Sequence, residues 1–231
     1  MQHRSENAMS PLHVSLHRRS VLQSAFGAIA ALALPALASS RRALPRMAEG
    51  PFYPSLAYRA RSIDWDADLT TVQGRATDGQ ARPRARGEHL DLVGTLSDAN
   101  GRIVDGAEVE IWQCDVFGSY RHPRGAGDQV DEGFQGFGLS KTDAQGVYRF
   151  RTIRPAPYPG RTPHIHLLLR HPSFGTLISQ LFVVGDAGNA RDFLYRSLSN
   201  EARAAVDMQL QRAPTGAGVT WRVEQMLVVG S

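Results

Sequence analysis

The chain of 231 residues contains one cysteine, Cys114. A single thiol excludes an internal disulfide framework and any zinc or iron–sulfur site built from several thiolates. Lysine is nearly absent too: Lys141 stands alone among 26 basic residues, and the rest are arginine. With a formal net charge of only +4, this arginine bias reads as composition rather than as a basic patch, and it gives no ground for a nucleic-acid partner. Several common catalytic signatures are missing. There is no His-Glu-x-x-His, no Cys-x-x-Cys, no Walker loop and no Gly-x-Ser-x-Gly elbow. The pattern shows no internal repeat and no second domain.

What is present is ordinary globular material, with 42% hydrophobic and 21% charged residues, enough for one core. The 22 glycines and 13 prolines are scattered among short apolar runs, which favours many turns and short strands. The N-terminus has the look of a targeting segment. Arg18-Arg19-Ser20-Val21-Leu22-Gln23 precedes an apolar stretch from Ala25 to Leu34, and Pro35-Ala36-Leu37-Ala38 supplies a small-residue cleavage site. We expect residues 1–38 to be a twin-arginine-type leader, so the chain would meet the membrane only during export to the periplasm or beyond. A membrane anchor is the competing reading, weakened by Gln23, Ser24, Gly27 and Pro35. His17 stands where the twin-arginine pattern has Ser or Thr, which leaves a general secretory signal open.

Residues 39–88 lack sustained periodicity and are expected to form an irregular arm. From residue 89 to 231 the chain reads as strands separated by turns. Leu90–Ser97 alternates apolar and polar residues and meets an Asn100-Gly101 turn. Ala107–Gln113 and Val147–Arg151 are further short strands. His164–Arg170 and Leu177–Val184 are apolar on both faces, as central strands are. Asn200–Arg212 predicts one short helix with Ser199 or Asn200 as its cap, and Val219–Val229 predicts a last strand. The expected fold is all-β, an antiparallel β-sandwich with long loops and one C-terminal helix.

The most informative cluster is Tyr158-Pro159-Gly160-Arg161-Thr162-Pro163-His164-Ile165-His166. On a strand, His164 and His166 project to the same side, so two imidazoles can converge on a metal without backbone strain. Pro155, Pro157, Pro159 and Pro163 stiffen the approach and fix the backbone around Tyr158. A phenol on a rigid loop beside two imidazoles suits a hard ferric ion; the plainer reading of Tyr158 is a packed loop aromatic.

An ordered set of further motifs accompanies this cluster. Glu49-Gly50-Pro51-Phe52-Tyr53-Pro54, Gly106–Gln113, Gly118-Ser119-Tyr120, Phe134-Gln135-Gly136-Phe137-Gly138, Thr142–Gly146 and Tyr148–Pro155 precede it. Over about residues 47–186 the chain resembles the intradiol ring-cleavage dioxygenases, the group of protocatechuate 3,4-dioxygenase and catechol 1,2-dioxygenase. The resemblance implies one non-haem Fe(III) per chain, held by Tyr120, Tyr158, His164 and His166, with a hydroxide completing the shell. It implies that Tyr158 is the axial tyrosine that leaves when substrate binds, with His166 opposite and Tyr120 and His164 equatorial. Arg161 matches the arginine beside the substrate ring. Gln180 matches a glutamine that follows a threonine in many members; here Ser179 stands in its place. The implied reaction opens a catechol-type diol between its hydroxyl-bearing carbons with O2, giving a cis,cis-muconate.

Two other readings compete. Gly101–Val109 also resembles secreted transthyretin-like binding modules, which carry no metal, and residues 90–113 alone do not separate the two. A cupin-like Fe(II) or Mn enzyme lacks its carboxylate ligand here. The sequence leaves the substrate open among protocatechuate, catechol, hydroxyquinol and lignin-derived catechols, and the arm could wrap a second copy of the chain. His122 and His171 are expected at the surface, Trp112 in the core, and Cys114 buried.

Overall fold

The computed structural model describes residues 41–55, 58, 64–72 and 83–230. The expected leader lies outside them. Among the described residues, no helix is long and apolar enough to cross a membrane.

Among the described residues, the fold has two five-stranded sheets and two short helices. In the first sheet β1 (His89–Asp98) pairs antiparallel with β4 (Val147–Ile153). Two C-terminal strands, β9 (Trp221–Glu224) and β10 (Leu227–Val229), pair with β1 in parallel, and β8 (Gln211–Arg212) extends β9. The second sheet runs β3 (Phe137–Lys141), β2 (Glu108–Trp112), β5 (His164–His171), β6 (Gly175–Val183) and β7 (Asp207–Met208). All its pairings are antiparallel except β6 with β7.

The sandwich agrees with the period-two pattern, but both sheets are mixed where a wholly antiparallel pair was expected. Two local readings also change. The helix expected over Asn200–Arg212 is α2 (Asn200–Val206), capped by Ser199, whose hydroxyl accepts from the Ala202 amide. It stops because Val206 is driven into the core and Met208 joins the edge of β6. A shorter helix, α1 (Phe193–Ser197), precedes it. The single strand expected over Val219–Val229 is broken at Gln225-Met226. There the Gln225 carbonyl accepts the buried Tyr148 hydroxyl at 2.8 Å and lies against Gly94, where a Cβ would collide with it. Only a glycine lets the two backbones approach this closely.

The main core lies between the sheets. Leu90, Leu92, Leu96, Tyr148 and Phe150 from the first sheet meet Val109, Ile111, Ile165, Leu167 and Leu169 from the second. Because side chains alternate along a strand, the other residues of β2 and β5 face outward. Trp112, His164, His166 and Leu168 therefore lie on the far face of the second sheet, yet all are buried. They are roofed by the segments that precede and follow the strands. Phe52, Tyr53, Tyr58, Trp65 and Tyr158 pack against a second cluster that contains Trp112, Tyr120 and Phe137. The described parts of the arm are irregular but tied down: the Leu44 amide donates to the Val228 carbonyl and the Met47 amide to the Ile178 carbonyl, both at 2.8 Å.

Candidate metal centre

The site is built on β5. His164 and His166 sit two residues apart and point to the same roofed face. Strand register supplies their neighbours. His166 is paired with Trp112 on β2 and with Gln180 on β6. The Trp112 indole lies flat on the His166 ring, 4.7 Å between centroids with the planes 10° apart. Gly50 closes the other approach, since a Cβ there would sit 3.2 Å from the His166 ring. Thus His166 is fixed by packing, while its Nδ1 finds no partner among the described residues. His164 is fixed by a hydrogen bond: its Nδ1 lies 2.6 Å from the Thr162 carbonyl. A carbonyl can only accept, so Nδ1 carries the proton and Nε2 presents a lone pair.

Tyr120 arrives from the loop after β2. Its ring is buried and stacked on Phe52 at 4.6 Å. Its hydroxyl is 3.1 Å from His166 Nε2, and the two histidine Nε2 atoms are 3.2 Å apart. Tyr158 and Arg161 come from one tight turn. Pro159 and Gly160 occupy its centre, Gly160 has φ +82°, and the Arg161 amide donates back to the Tyr158 carbonyl at 2.9 Å. Proline then glycine is the pairing such a turn demands, and it sets the two side chains side by side. The Tyr158 ring lies 5.5 Å from both Tyr120 and His164, and Arg161 Nη1 donates to its hydroxyl at 3.3 Å. Arg161 Nη2 donates to Gln180 Oε1 at 2.6 Å, and Nε to Asp192 at 2.8 Å.

All six residues singled out from the sequence, Tyr120, Tyr158, Arg161, His164, His166 and Gln180, therefore gather at one place. Arg161 is no surface arginine, since its side chain is only 8% exposed. Gln180 is fully buried, and its amide also donates to the Ala48 carbonyl. Trp112 is buried as expected, but against a site histidine rather than in the inter-sheet core. Cys114 is buried, and burial together with Asp115 pushes its thiol up to about 12. His122 is only partly exposed, its ring against Phe52 and Tyr58. Asp192 was missed by sequence reading; its signal was an Asp directly before the short apolar run Phe193-Leu194-Tyr195.

The donors suit a ferric ion on two physical grounds. Donors bonded to one ion at ~2.1 Å lie roughly 3.0–3.4 Å apart, and the distances of 3.1 and 3.2 Å among Tyr120, His164 and His166 fall in that range. Their charge state also fits. Burial, then Arg161, lowers His164 to about 4, and burial with the neighbouring His164 takes His166 well below its usual range. Both imidazoles are thus neutral and able to coordinate at neutral pH. Burial raises the Tyr120 phenol well above its ordinary value, so a strongly positive partner is needed to ionise it. Among the described residues, no three His, Cys, Asp or Glu side chains converge as a metal-binding group, so phenols are required to complete this one.

Residues 65–225 match the dioxygenase family Dioxygenase_C. The chain belongs to the intradiol dioxygenase family. It is 36% identical over 126 residues to the protocatechuate 3,4-dioxygenase beta chain of Burkholderia cepacia, covering 51% of this chain and 54% of that one. It is 32% identical over 174 residues to the catechol 1,2-dioxygenase of Acinetobacter baylyi, covering 66% and 50%. The chain spans about half the length of these two relatives. Among solved structures, the dioxygenase domain of a dioxygenase carbohydrate-binding fusion from Streptomyces sp. SirexAA-E is similar, at 25% identity and a TM-score of 0.57, covering 81% of this chain and 98% of that one. With the family established, the metal-free binding-module reading loses its support.

Proposed function

We propose that the chain is a non-haem Fe(III) intradiol dioxygenase, which opens a catechol-type ring between its hydroxyl-bearing carbons with O2 to a cis,cis-muconate. The observation that carries this reading is the convergence of the Tyr120 hydroxyl with both histidine Nε2 atoms, Tyr158 alongside. Tyr120, Tyr158, His164 and His166 would hold one iron per chain. That ion would supply the Lewis acidity that draws electron density from a bound catecholate and prepares its ring for O2.

The rest of the chemistry falls to side chains. A catechol must lose two protons to chelate a metal; a departing phenolate oxygen can take one, and the other passes to water at the cleft. The two tyrosines are held unequally. Tyr120 is buried, stacked and tied to His166. Tyr158 is half-buried, and its hydroxyl engages Arg161 instead. This supports Tyr158 as the exchangeable phenol, which takes up a substrate proton at its oxygen and swings aside. Arg161 keeps a fixed positive charge beside the ring as the ring oxygen becomes ketone-like. A cleft of about 570 Å³, lined in part by Phe52, Phe117, Tyr120, Arg124 and Tyr158, gives the phenols access to solvent.

Oxygen uptake with a panel of catechols, protocatechuate and hydroxyquinol included, tests the reaction. We expect uptake with at least one diol and a ring-opened diacid as product. A product opened beside, rather than between, the hydroxyl-bearing carbons would contradict it.

We also propose that the protein is exported folded, because the metal donors come from separate segments and meet only in the folded state. Replacing Arg18 and Arg19 by Lys should leave uncut precursor in the cytoplasm. Normal export of that variant would point to a general secretory leader.

A further inference from the structure

One carboxylate ties the arginine of this site to one of its histidines. Asp192 is 1% exposed, lies in the loop after β6, and serves two jobs with its two oxygens. Oδ1 accepts from the Leu194 and Tyr195 amides at 2.9 and 3.0 Å, capping α1. Oδ2 accepts from Arg161 Nε at 2.8 Å and from the Thr162 amide at 3.0 Å. The Thr162 carbonyl in turn accepts a hydrogen bond from His164 Nδ1. Thr162 is held again through its hydroxyl, which is 2.8 Å from Asn189 Oδ1.

A guanidinium has three edges along which it can be held. Here Nε is on Asp192, Nη2 is on Gln180, and Nη1 is left facing the Tyr158 hydroxyl. Without Asp192 the head could pivot about its Gln180 contact, and the flanking rings of Tyr158 and Phe193, 6.0 and 5.6 Å from the guanidinium carbon, would not stop it. The α1 cap alone requires only Oδ1, so the second oxygen is free for a role in the site.

We propose that Asp192 is a positioning residue, which locks Arg161 against Tyr158 and fixes that pair relative to the His164 imidazole. This rests on the dioxygenase reading above, in which Arg161 serves the substrate ring. A positioning role predicts a loss in kcat at little cost in KM, because a displaced charge weakens stabilisation that matters most in the transition state.

The test is a double-mutant cycle on the iron-loaded full chain. Asp192→Asn should lower kcat by about 10- to 10²-fold, with KM changed less than about threefold. Asp192→Ser keeps a capping oxygen but cannot reach Arg161; it should show the same loss in kcat with a lowered thermal midpoint, because a buried guanidinium loses its carboxylate, and the kinetics of both variants are read well below that midpoint. In an Arg161→Lys background, Asp192→Ser should cost less than about twofold more, since residues that act through one group are not additive. Wild-type kcat in both Asp192 variants, or equal losses in both backgrounds, would overturn the positioning role. A wild-type protein that turns over no catechol would instead sink the dioxygenase reading on which it stands.

Discussion

Tyr120→Phe should weaken the visible absorption of the iron-loaded protein and lower turnover by about 10³-fold, equivalent to about 4 kcal/mol. The expectation follows from how Tyr120 is held. Its ring is locked by Phe52, its hydroxyl sits 3.1 Å from His166 Nε2, and no other oxygen among the described residues is bonded to that histidine. Removing the oxygen takes away a donor that no flexible neighbour replaces, while the phenyl ring still fills its place and the fold survives. Tyr158→Phe should behave differently. Its hydroxyl is shared with Arg161 and its side chain is half-buried, which supports the proposal that it is the phenol that departs when a diol binds. That variant should be slower, yet its anaerobic catechol complex should have nearly the wild-type spectrum. Absorption spectra with and without catechol separate the two. A Tyr158→Phe protein that differs from wild type only after catechol is added would reverse the assignment.

Arg161→Lys should lower kcat by roughly 10²-fold while catechol still binds. An ammonium preserves the charge but has one nitrogen in place of three. It cannot meet Asp192, Gln180 and Tyr158 together, as the guanidinium does at 2.8, 2.6 and 3.3 Å. Nor does it bring a planar cation to the Tyr158 and Phe193 rings, whose centroids lie 6.0 and 5.6 Å from the guanidinium carbon. Burial sharpens the effect, because an 8% exposed cation works in surroundings where water screens little. Steady-state kinetics decide the matter: an unchanged kcat would reduce Arg161 to a packing residue.

Much of this was legible in the sequence because the chemistry obeys strand periodicity. His-x-His on an apolar run fixes both the strand and the shared direction of the rings, and Pro-Gly between Tyr158 and Arg161 fixes the turn that aligns them. The hidden part depends on contacts between distant segments. Nothing local in Val219–Val229 shows that Gln225 leaves the strand, since the cause is Tyr148 and Gly94. The parallel pairing of β1 with β9 and β10 follows from a crossover, not from side-chain pattern. Among the strands of their sheet, residues 89–98 pair antiparallel with β4 alone. Trp112 reads as an ordinary core residue until register sets it against His166. Asp192 lies 31 residues beyond Arg161 in the chain, so its contact with that side chain could not be seen without the fold.

The most direct test of the central claim is the metal itself. Protein produced with iron available, and purified without chelators, should contain about one iron per chain and be red-brown from tyrosinate-to-iron charge transfer, with the colour weakened in Tyr120→Phe. A colourless protein that binds zinc and no iron under the same conditions would contradict the account.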